Sequence, residues 1–357
     1  MYKSNKFCDI LEIGKGITAV IGSGGKTSLI GRLSTELSGR TSAEMSGITS
    51  AELSGKPAAE GMLCGQAGTC RVIFTTTTHI LRPEDMPVAC SERELVRLLS
   101  GDSAAGEQSL PDHSTACEQS LTDDNAAWEQ SLTDDNAACE QSLPDHIAAD
   151  TRRLSGCRPA PRMVCVGSVA PDNPRKLSIP NIPMERLCIF ADYVLVEADG
   201  SKMLPIKAHK SYEPVIPDKS GTVVLVVGLS GIGGQVLEKV HRTEEFARLT
   251  GAQPEDVVTP ALIAKGIVAE LPRYAGYTVR IYLNQTDIAD GEMKAAQLAE
   301  AIRSELGTAA GMTDGDAAQS GGCSAVGWTQ GASQETMTDG VPRIYAGSLK
   351  EGYIYRL

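Results

Sequence analysis

The chain has 357 residues, enough for one large or two small domains, with 45 acidic residues, 33 basic residues and a net charge of −12. Twelve of the acids and none of the bases lie in residues 101–150, so the remainder is neutral and we expect no binding of nucleic acid. The sequence has no apolar run of about 18 residues for a membrane helix, no signal-peptide core, and ten scattered cysteines without a C-x-x-C pair. We therefore expect a cytoplasmic protein with reduced thiols and no membrane association.

The first predicted elements are a strand at 17–22 and a helix at 26–37, which flank the glycine-rich segment GSGGKTS. Glycines in such a turn let backbone N–H groups point inward, and the helix N-terminus adds partial positive charge, so the segment suits phosphate binding. We expect Lys26 to reach the outer phosphates of a nucleotide and the hydroxyl of Thr27 to ligate Mg²⁺. The predicted nucleotide-binding residues here are Gly22, Ser23, Gly24, Gly25, Lys26, Thr27 and Ser28.

This glycine loop is shorter than a full Walker A motif. Val20 occupies the place of that motif's first glycine, and the remaining G-x-x-G-K-T pattern resembles the loop of the Mur ligases, which are P-loop proteins. The alternative is a simple glycine turn followed by an exposed lysine.

Three low-complexity segments interrupt the pattern, at 38–65, 101–157 and 307–340. Within the second, residues 106–149 are four copies of an eleven-residue unit, whose Pro-Asp and Asp-Asp-Asn steps favour turns. We expect the three segments to be disordered insertions without chemistry of their own. The alternative is that they bind a partner.

The rest of the chain alternates between apolar strand patterns and helix patterns. This alternation predicts an α/β fold in one domain spanning 1–357, with a mainly parallel sheet flanked by helices. Together with the glycine loop, this arrangement resembles the three-layer core of P-loop NTPases. Ligands of such sheets bind beyond the carboxyl ends of the strands. The predicted strands are 17–22, 71–75, 163–167, 193–198, 222–228, 279–284 and 343–347, and the predicted helices are 26–37, 91–100, 243–250, 259–268 and 290–305.

Four threonines, at 75–78, and His79 follow the second predicted strand. Hydroxyl groups at a strand end can ligate Mg²⁺, and we predict Thr76 as a metal ligand. The alternative is that the threonines only reflect strand propensity. His79 is either a base or ligand, or a structural residue.

Two acids end the strand in the segment VEADGSK. A buried strand that ends in carboxylates is typical of a Walker B element, so we expect Asp199 to hold Mg²⁺ and Glu197 to position the attacking nucleophile. With Lys26 they form the predicted catalytic set. The alternative is an Asp-Gly turn with solvated acids.

A polar loop follows these acids. It could clamp an anionic substrate or phosphate, or it could be an ordinary solvated loop. Its charged residues are Lys202, Lys207, His209, Lys210 and Glu213.

Asn284-Gln285-Thr286-Asp287 follows a later strand and resembles the N-K-x-D element with which GTPases recognise guanine. We predict that Asn284 and Asp287 contribute to nucleotide binding, and we leave open whether the nucleotide is ATP or GTP. The alternative is an ordinary strand-to-helix turn with Asn and Asp as caps.

Together these blocks resemble the YqeC family, whose members are described as accessory proteins of selenium-dependent molybdenum hydroxylases. The matching blocks are GSGGKTS at 22–28, FTTTTHI at 74–80, VEADGSK with PIKAH and EPVIP within 196–217, VGLSGIG with VHR within 227–242, and LNQTD at 283–287. The resemblance implies a cytoplasmic P-loop protein that serves the maturation of a molybdenum-cofactor enzyme. The motif order is also similar to that of metallocentre-assembly GTPases, which implies a homodimer as one arrangement.

Three functions follow from these expectations. The first is a Mg²⁺-dependent P-loop NTPase that binds and hydrolyses ATP or GTP while assisting the maturation of a selenium-dependent molybdenum hydroxylase. The second is an ATP-dependent ligase or kinase that acts on a small acid or cofactor. The third is an escort protein that binds a nucleotide or cofactor without turnover.

Overall fold

The structure is a computed structural model that describes residues 2–40, 70–101, 160–311 and 342–357. The greater part of each predicted insertion lies outside these residues. The described part of the chain contains no helix that is both long enough and apolar enough to cross a membrane.

A single large sheet organises the described residues. Its strand order is β14-β13-β12-β10-β1-β8-β2-β5-β4, and all neighbours are parallel except the antiparallel pair β13–β14. The strands are β1 (Gly16–Gly22), β2 (Val72–Thr76), β3 (Ile80–Leu81), β4 (Val88–Ala89), β5 (Met163–Val166), β6 (Ser168–Ala170), β7 (Asn173–Ser178), β8 (Tyr193–Glu197), β9 (Ile206–Lys207), β10 (Ser220–Gly228), β11 (Val240–His241), β12 (Thr278–Asn284), β13 (Arg343–Ser348) and β14 (Tyr353–Arg356).

Helices cover both faces of this sheet, because its central strands are apolar on both sides. One hydrophobic cluster includes Leu29 and Leu33 of the second helix, and the other includes Phe246, Ile263 and Leu298 from later helices. The helices are α1 (Phe7–Ile10), α2 (Lys26–Ser38), α3 (Glu92–Ser100), α4 (Met184–Phe190), α5 (Val236–Lys239), α6 (Thr243–Thr250), α7 (Pro260–Glu270) and α8 (Gly291–Gly311). The α/β class with a mainly parallel sheet is therefore confirmed.

The predicted strands and helices all occur, with ends that differ by a few residues. One correction concerns α8, which continues to Gly311, so the start of the segment predicted as an insertion at 307–340 is helical. Leu306 explains part of this extension, because it packs against the core. The small antiparallel sheet β3–β7–β6 was not predicted, since strands of two to six residues carry little periodic signal.

Candidate functional site

The site lies where β1 and β8, two neighbouring central strands, reach their carboxyl ends. β1 pairs with β8 up to Val20 and Glu197, and the glycine loop then leads into α2 at Lys26. The chain leaves β1 toward β2 on one side, whereas β10 flanks β1 on the other. Parallel sheets form a ligand-binding crevice where successive connections diverge in this way.

The glycine loop, residues 22–25, needs glycine at its close approaches. Gly24 has a φ of +83°, and a Cβ placed there would lie 2.5 Å from the Cα of Gly228. Gly25 has a φ of +133°, and its Cβ would lie 2.5 Å from Nδ2 of Asn284. L side chains rarely adopt such φ values, so both the conformation and the lack of space favour glycine.

Lys26 points into the site and is only 4% exposed, so the alternative of an exposed lysine is wrong. Its Nζ donates hydrogen bonds to the carbonyl of Gly22 at 2.8 Å and to Oγ of Ser201 at 3.1 Å. The same ammonium lies 3.1 Å from Oδ1 of Asp199 and 3.8 Å from Oε1 of Glu197. Lys26 therefore lies beside two acids that are far from it in sequence.

Glu197, the last residue of β8, is joined to the helix that follows the glycine loop. Its Oε2 accepts a hydrogen bond of 2.7 Å from the exposed hydroxyl residue Thr27. Burial raises the pKa of Glu197, and the opposing effects of Lys26 and the Thr27 hydrogen bond do not cancel this rise.

Asp199 is completely buried, so the alternative of solvated acids at an Asp-Gly turn is wrong. Its Oδ2 accepts a hydrogen bond of 2.9 Å from the main-chain N–H of Gly22. Burial alone would raise the pKa of Asp199, but the positive charge of Lys26 and the contacts with His209 and Lys207 outweigh burial and lower it. Asp199 is therefore an anion at neutral pH.

One oxygen at the site remains available to a ligand. Oδ1 of Asp199 is buried and accepts no hydrogen bond from the described residues, although the Lys26 ammonium lies nearby. Mg²⁺ prefers oxygen ligands, and this oxygen, a carboxylate oxygen of Glu197 and the hydroxyl of Thr27 are of that type. The described residues contain no group of three or more His, Cys, Asp and Glu side chains that could hold a metal ion, so water or a bound phosphate would have to complete the coordination of a metal here. The residues present thus fit Mg²⁺ as part of its ligand set, in the way that Mg²⁺ sites beside nucleotides are built.

At the centre of the polar loop after Asp199, the charged side chains are buried and paired. This part of the loop is therefore not solvated, and its cations are not free to clamp an anion. The side chain of Lys207 is fully buried, with Nζ 3.3 Å from Oδ2 of Asp199 and 3.5 Å from Oε2 of Glu213. His209 is also fully buried, with Nε2 2.7 Å from Asp199 and Nδ1 2.7 Å from Glu270. Lys202 remains exposed, and Lys210 is half-buried, as the sequence alternatives allowed.

Sequence reasoning missed Glu270, which ends the mostly apolar helix α7. Burial alone would lower the pKa of His209, but its hydrogen bonds to Asp199 and Glu270 outweigh burial and raise it. The hydroxyl of Tyr274 lies 3.3 Å from Nδ1 of the same ring. The available signal was a lone acid at the end of the segment PALIAKGIVAE, since a buried acid needs a partner.

The hydroxyl groups at 75–77 in the threonine run bond to neighbouring segments of the chain. Thr75, Thr76 and Thr77 donate hydroxyl hydrogen bonds of 2.7 to 2.8 Å to main-chain carbonyls. Thr76, the predicted metal ligand, is fully buried and bonds to the carbonyl of Glu197, which favours the structural alternative. His79 is exposed.

Asn284 supports the glycine loop. Its Nδ2 donates a hydrogen bond of 2.7 Å to the carbonyl of Gly24, and its Oδ1 accepts hydrogen bonds from Tyr282 and from the main-chain N–H of Leu349. Asp287 is exposed, three residues beyond this anchor. Of the remaining predicted residues, Ser23 is buried and donates to the carbonyl of Leu204, whereas Ser28 is exposed on α2.

Comparisons with known proteins point to one family. A family model described as "YqeC protein" matches residues 54–244, just over half of the chain. This range includes both acids and the polar loop, but it begins after the glycine loop. A protein of Escherichia coli (strain K12) named "Uncharacterized protein YqeC" is 45% identical over 65 residues, which are 18% of this chain and 25% of that protein. The aligned segment thus spans about a quarter of the length of this curated relative. No solved structure matches the chain.

Proposed function

The chain belongs to the YqeC family, and we propose that it is a P-loop NTPase that binds ATP or GTP together with Mg²⁺ and hydrolyses it. One observation carries this proposal. A lysine and a threonine at the start of a helix, directly after a glycine loop, contact two acids at the end of the adjacent strand. Helix N-termini bind phosphate, and carboxylates at a neighbouring strand end bind the metal that accompanies it.

In this proposal the main-chain N–H groups of residues 24–27 surround the phosphates, since those of Gly22 and Ser23 already bond to Asp199 and Val226. Lys26 leaves the acids and neutralises the charge that develops between the outer two phosphates. Thr27 and Oδ1 of Asp199 would hold Mg²⁺, which would supply a further positive charge at the phosphates. Glu197 positions the attacking water, and its raised pKa suits a carboxylate that accepts a proton.

In this proposal, nucleotide hydrolysis assists another protein. We propose, from the resemblance to the YqeC family, that hydrolysis assists the maturation of a selenium-dependent molybdenum hydroxylase, with the enzyme or its cofactor as partner. A nucleotide-dependent homodimer belongs to the same proposal by analogy with metallocentre-assembly GTPases.

We assign the discrimination between guanine and adenine to Asp287. A carboxylate there can accept the two N–H groups of guanine, whereas adenine presents an acceptor at the corresponding ring nitrogen. Asn284 contributes indirectly, by supporting the glycine loop. It is not expected to contact the base, because both ends of its amide are already hydrogen-bonded. On this basis GTP is the preferred nucleotide.

Calorimetric titration of ATP and GTP, each with and without Mg²⁺, tests the proposal. We expect the wild-type protein to bind nucleotide more tightly when Mg²⁺ is present, and we expect binding to be lost in Lys26→Ala. Lys15→Ala is the control, because Lys15 precedes β1 and forms an exposed ion pair with Asp192. Absence of binding in the wild-type protein would contradict the proposal.

Analysis of the products separates hydrolysis from the two other functions. Release of phosphate alone supports the NTPase. A phosphorylated or ligated product formed from an added small acid would instead identify a kinase or ligase, and binding without turnover would identify an escort protein.

A further inference from the structure

Asp199 is a fully buried carboxylate whose two oxygens face different neighbours. Oδ2 accepts the hydrogen bond from Gly22, contacts Nε2 of His209 at 2.7 Å and lies 3.3 Å from Nζ of Lys207. The ammonium of Lys26 lies nearest to Oδ1, at 3.1 Å, and this oxygen accepts no hydrogen bond from the described residues. The shortest contacts of the counter-charges therefore fall on different oxygens, with Lys207 and His209 at Oδ2 and Lys26 at Oδ1.

The group at Oδ2 is fixed in place. The side chain of Lys207 is fully buried, and its Nζ also donates a hydrogen bond of 2.7 Å to the carbonyl of Gly200 and lies 3.5 Å from Glu213. Glu270 holds His209 twice, through the ring Nδ1 at 2.7 Å and through the main-chain N–H at 2.6 Å. Neither side chain can leave without breaking several buried polar contacts.

Lys26 at Oδ1 is the counter-charge that can leave. It begins α2 beside the exposed Thr27, and its hydrogen bonds go to the neutral carbonyl of Gly22 and hydroxyl of Ser201, with Glu197 farther away at 3.8 Å. Lys26 is itself buried, but a phosphate would offer it a charged partner in place of these contacts. A lysine that moves to a phosphate removes one positive charge from Asp199. A buried carboxylate without compensation is strongly unfavourable, so the charges at Oδ2 must remain until Mg²⁺ takes the place of Lys26 at Oδ1.

We propose that Lys207 and His209 are positioning residues when Lys26 transfers to a phosphate: Lys207 keeps Asp199 neutralised, and the hydrogen bond to His209 keeps it in place beside Gly22. The transfer step, in which Lys26 moves to a phosphate, rests on the proposed nucleotide binding. The division of the counter-charges between the two oxygens of Asp199 does not depend on nucleotide. Without Lys207, Asp199 retains Lys26 and competes with the phosphate for it. Lys207 therefore controls nucleotide affinity although it lies behind the acids and does not touch the phosphates.

Urea unfolding of the nucleotide-free protein tests the division of the counter-charges. We expect Lys207→Met to lower the unfolding midpoint more than Lys26→Met, and the double variant to lower it by more than the sum of the two. Lys207→Arg keeps the charge and should restore most of the stability, and the exposed Lys219→Met is the matched control. Additive effects of the two lysines, or a Lys207→Met variant as stable as the control, would overturn the proposal.

Lys207→Met could fail to fold, and a second variant covers that case. In Asp199→Asn/Lys207→Met the buried charge at position 199 is gone, and Glu213 keeps its ion pair with Arg242, so we expect folding to recover. A double variant that remains unfolded would contradict the assignment of Lys207 to Asp199.

Titration of Mg²⁺-nucleotide tests the transfer step. We expect affinity to fall at least about tenfold in Lys207→Met and to return in Lys207→Arg, with no change in Lys219→Met. Unchanged affinity in a folded Lys207→Met protein would overturn the transfer step. Absence of nucleotide binding by the wild-type protein would overturn the proposed function and this step together, while the unfolding measurements would still decide how Asp199 is held.

Discussion

The main-chain N–H of Gly22 donates a hydrogen bond of 2.9 Å to the carboxylate of Asp199, although the two residues are 177 positions apart. This bond joins the start of the glycine loop to the acidic end of β8. It links the conformation of the loop to the charge on a buried acid. The site is therefore one unit, and changes on either side of the bond should affect the other.

The first prediction concerns the close approach at Gly24. Gly24→Ala must place a Cβ 2.5 Å from the Cα of Gly228 with a φ of +83°, so we expect a loss of about 1–3 kcal/mol of folding stability and loss of nucleotide binding. Gly14→Ala is the control, because no atom lies within 4 Å of its Cβ. Urea unfolding and nucleotide titration measure both effects. A Gly24→Ala protein that binds as the wild type does would show that the loop does not need glycine there.

The second prediction separates the two residues of the proposed base site. Asn284→Ala removes the support of the Gly24 carbonyl and leaves buried polar groups unbonded, so it should weaken the binding of ATP and GTP alike. Asp287→Ala should weaken only GTP, because its exposed carboxylate supports no other described part of the site. Competition titrations with both nucleotides distinguish these results. Equal losses of ATP and GTP in Asp287→Ala would contradict recognition of guanine.

The third prediction follows from the charge on Glu213. Burial raises the pKa of Glu213, but the hydrogen bond from Arg242 and the charge of Lys207 outweigh it and lower the pKa below the ordinary value of 4.5. A lowered pKa means that ionised Glu213 stabilises the fold above pH 4.5 and that this contribution is lost as the pH falls through the folded-state pKa. Wild type should therefore unfold at a higher temperature than Glu213→Gln near neutral pH, and the gap should close in acid.

Thermal unfolding between about pH 3 and pH 7 measures this gap, with the exposed Glu255→Gln as control. We expect the control to follow the wild type throughout this range. A gap between wild type and Glu213→Gln that stays constant down to the lowest pH would show that the charge of Glu213 does not stabilise the fold.

The fold and part of the site follow from sequence patterns. Continuous apolar strands predicted the parallel sheet, and because parallel strands end at one edge, Lys26, Glu197 and Asp199 were expected to lie near one another. The burial of Lys207 and His209 was not predictable, since residues of these types in a polar loop are most often exposed. Lys207 pairs within its own segment, with Asp199 and Glu213, whereas Glu270 reaches His209 from α7, and no local pattern encodes that distant contact.

The last prediction concerns the hydroxyl that links the glycine loop to β8. Thr27→Val removes the hydrogen bond of 2.7 Å to Glu197 and one oxygen of the proposed Mg²⁺ site, while the side chain keeps its volume. We expect the variant to bind nucleotide without metal as the wild type does, but to gain little affinity on addition of Mg²⁺. Thr27→Ser keeps the hydroxyl and should retain the gain, and EDTA should bring the wild type to the level of Thr27→Val. If Mg²⁺ strengthens binding to Thr27→Val as much as to the wild type, Thr27 is not a ligand of the metal.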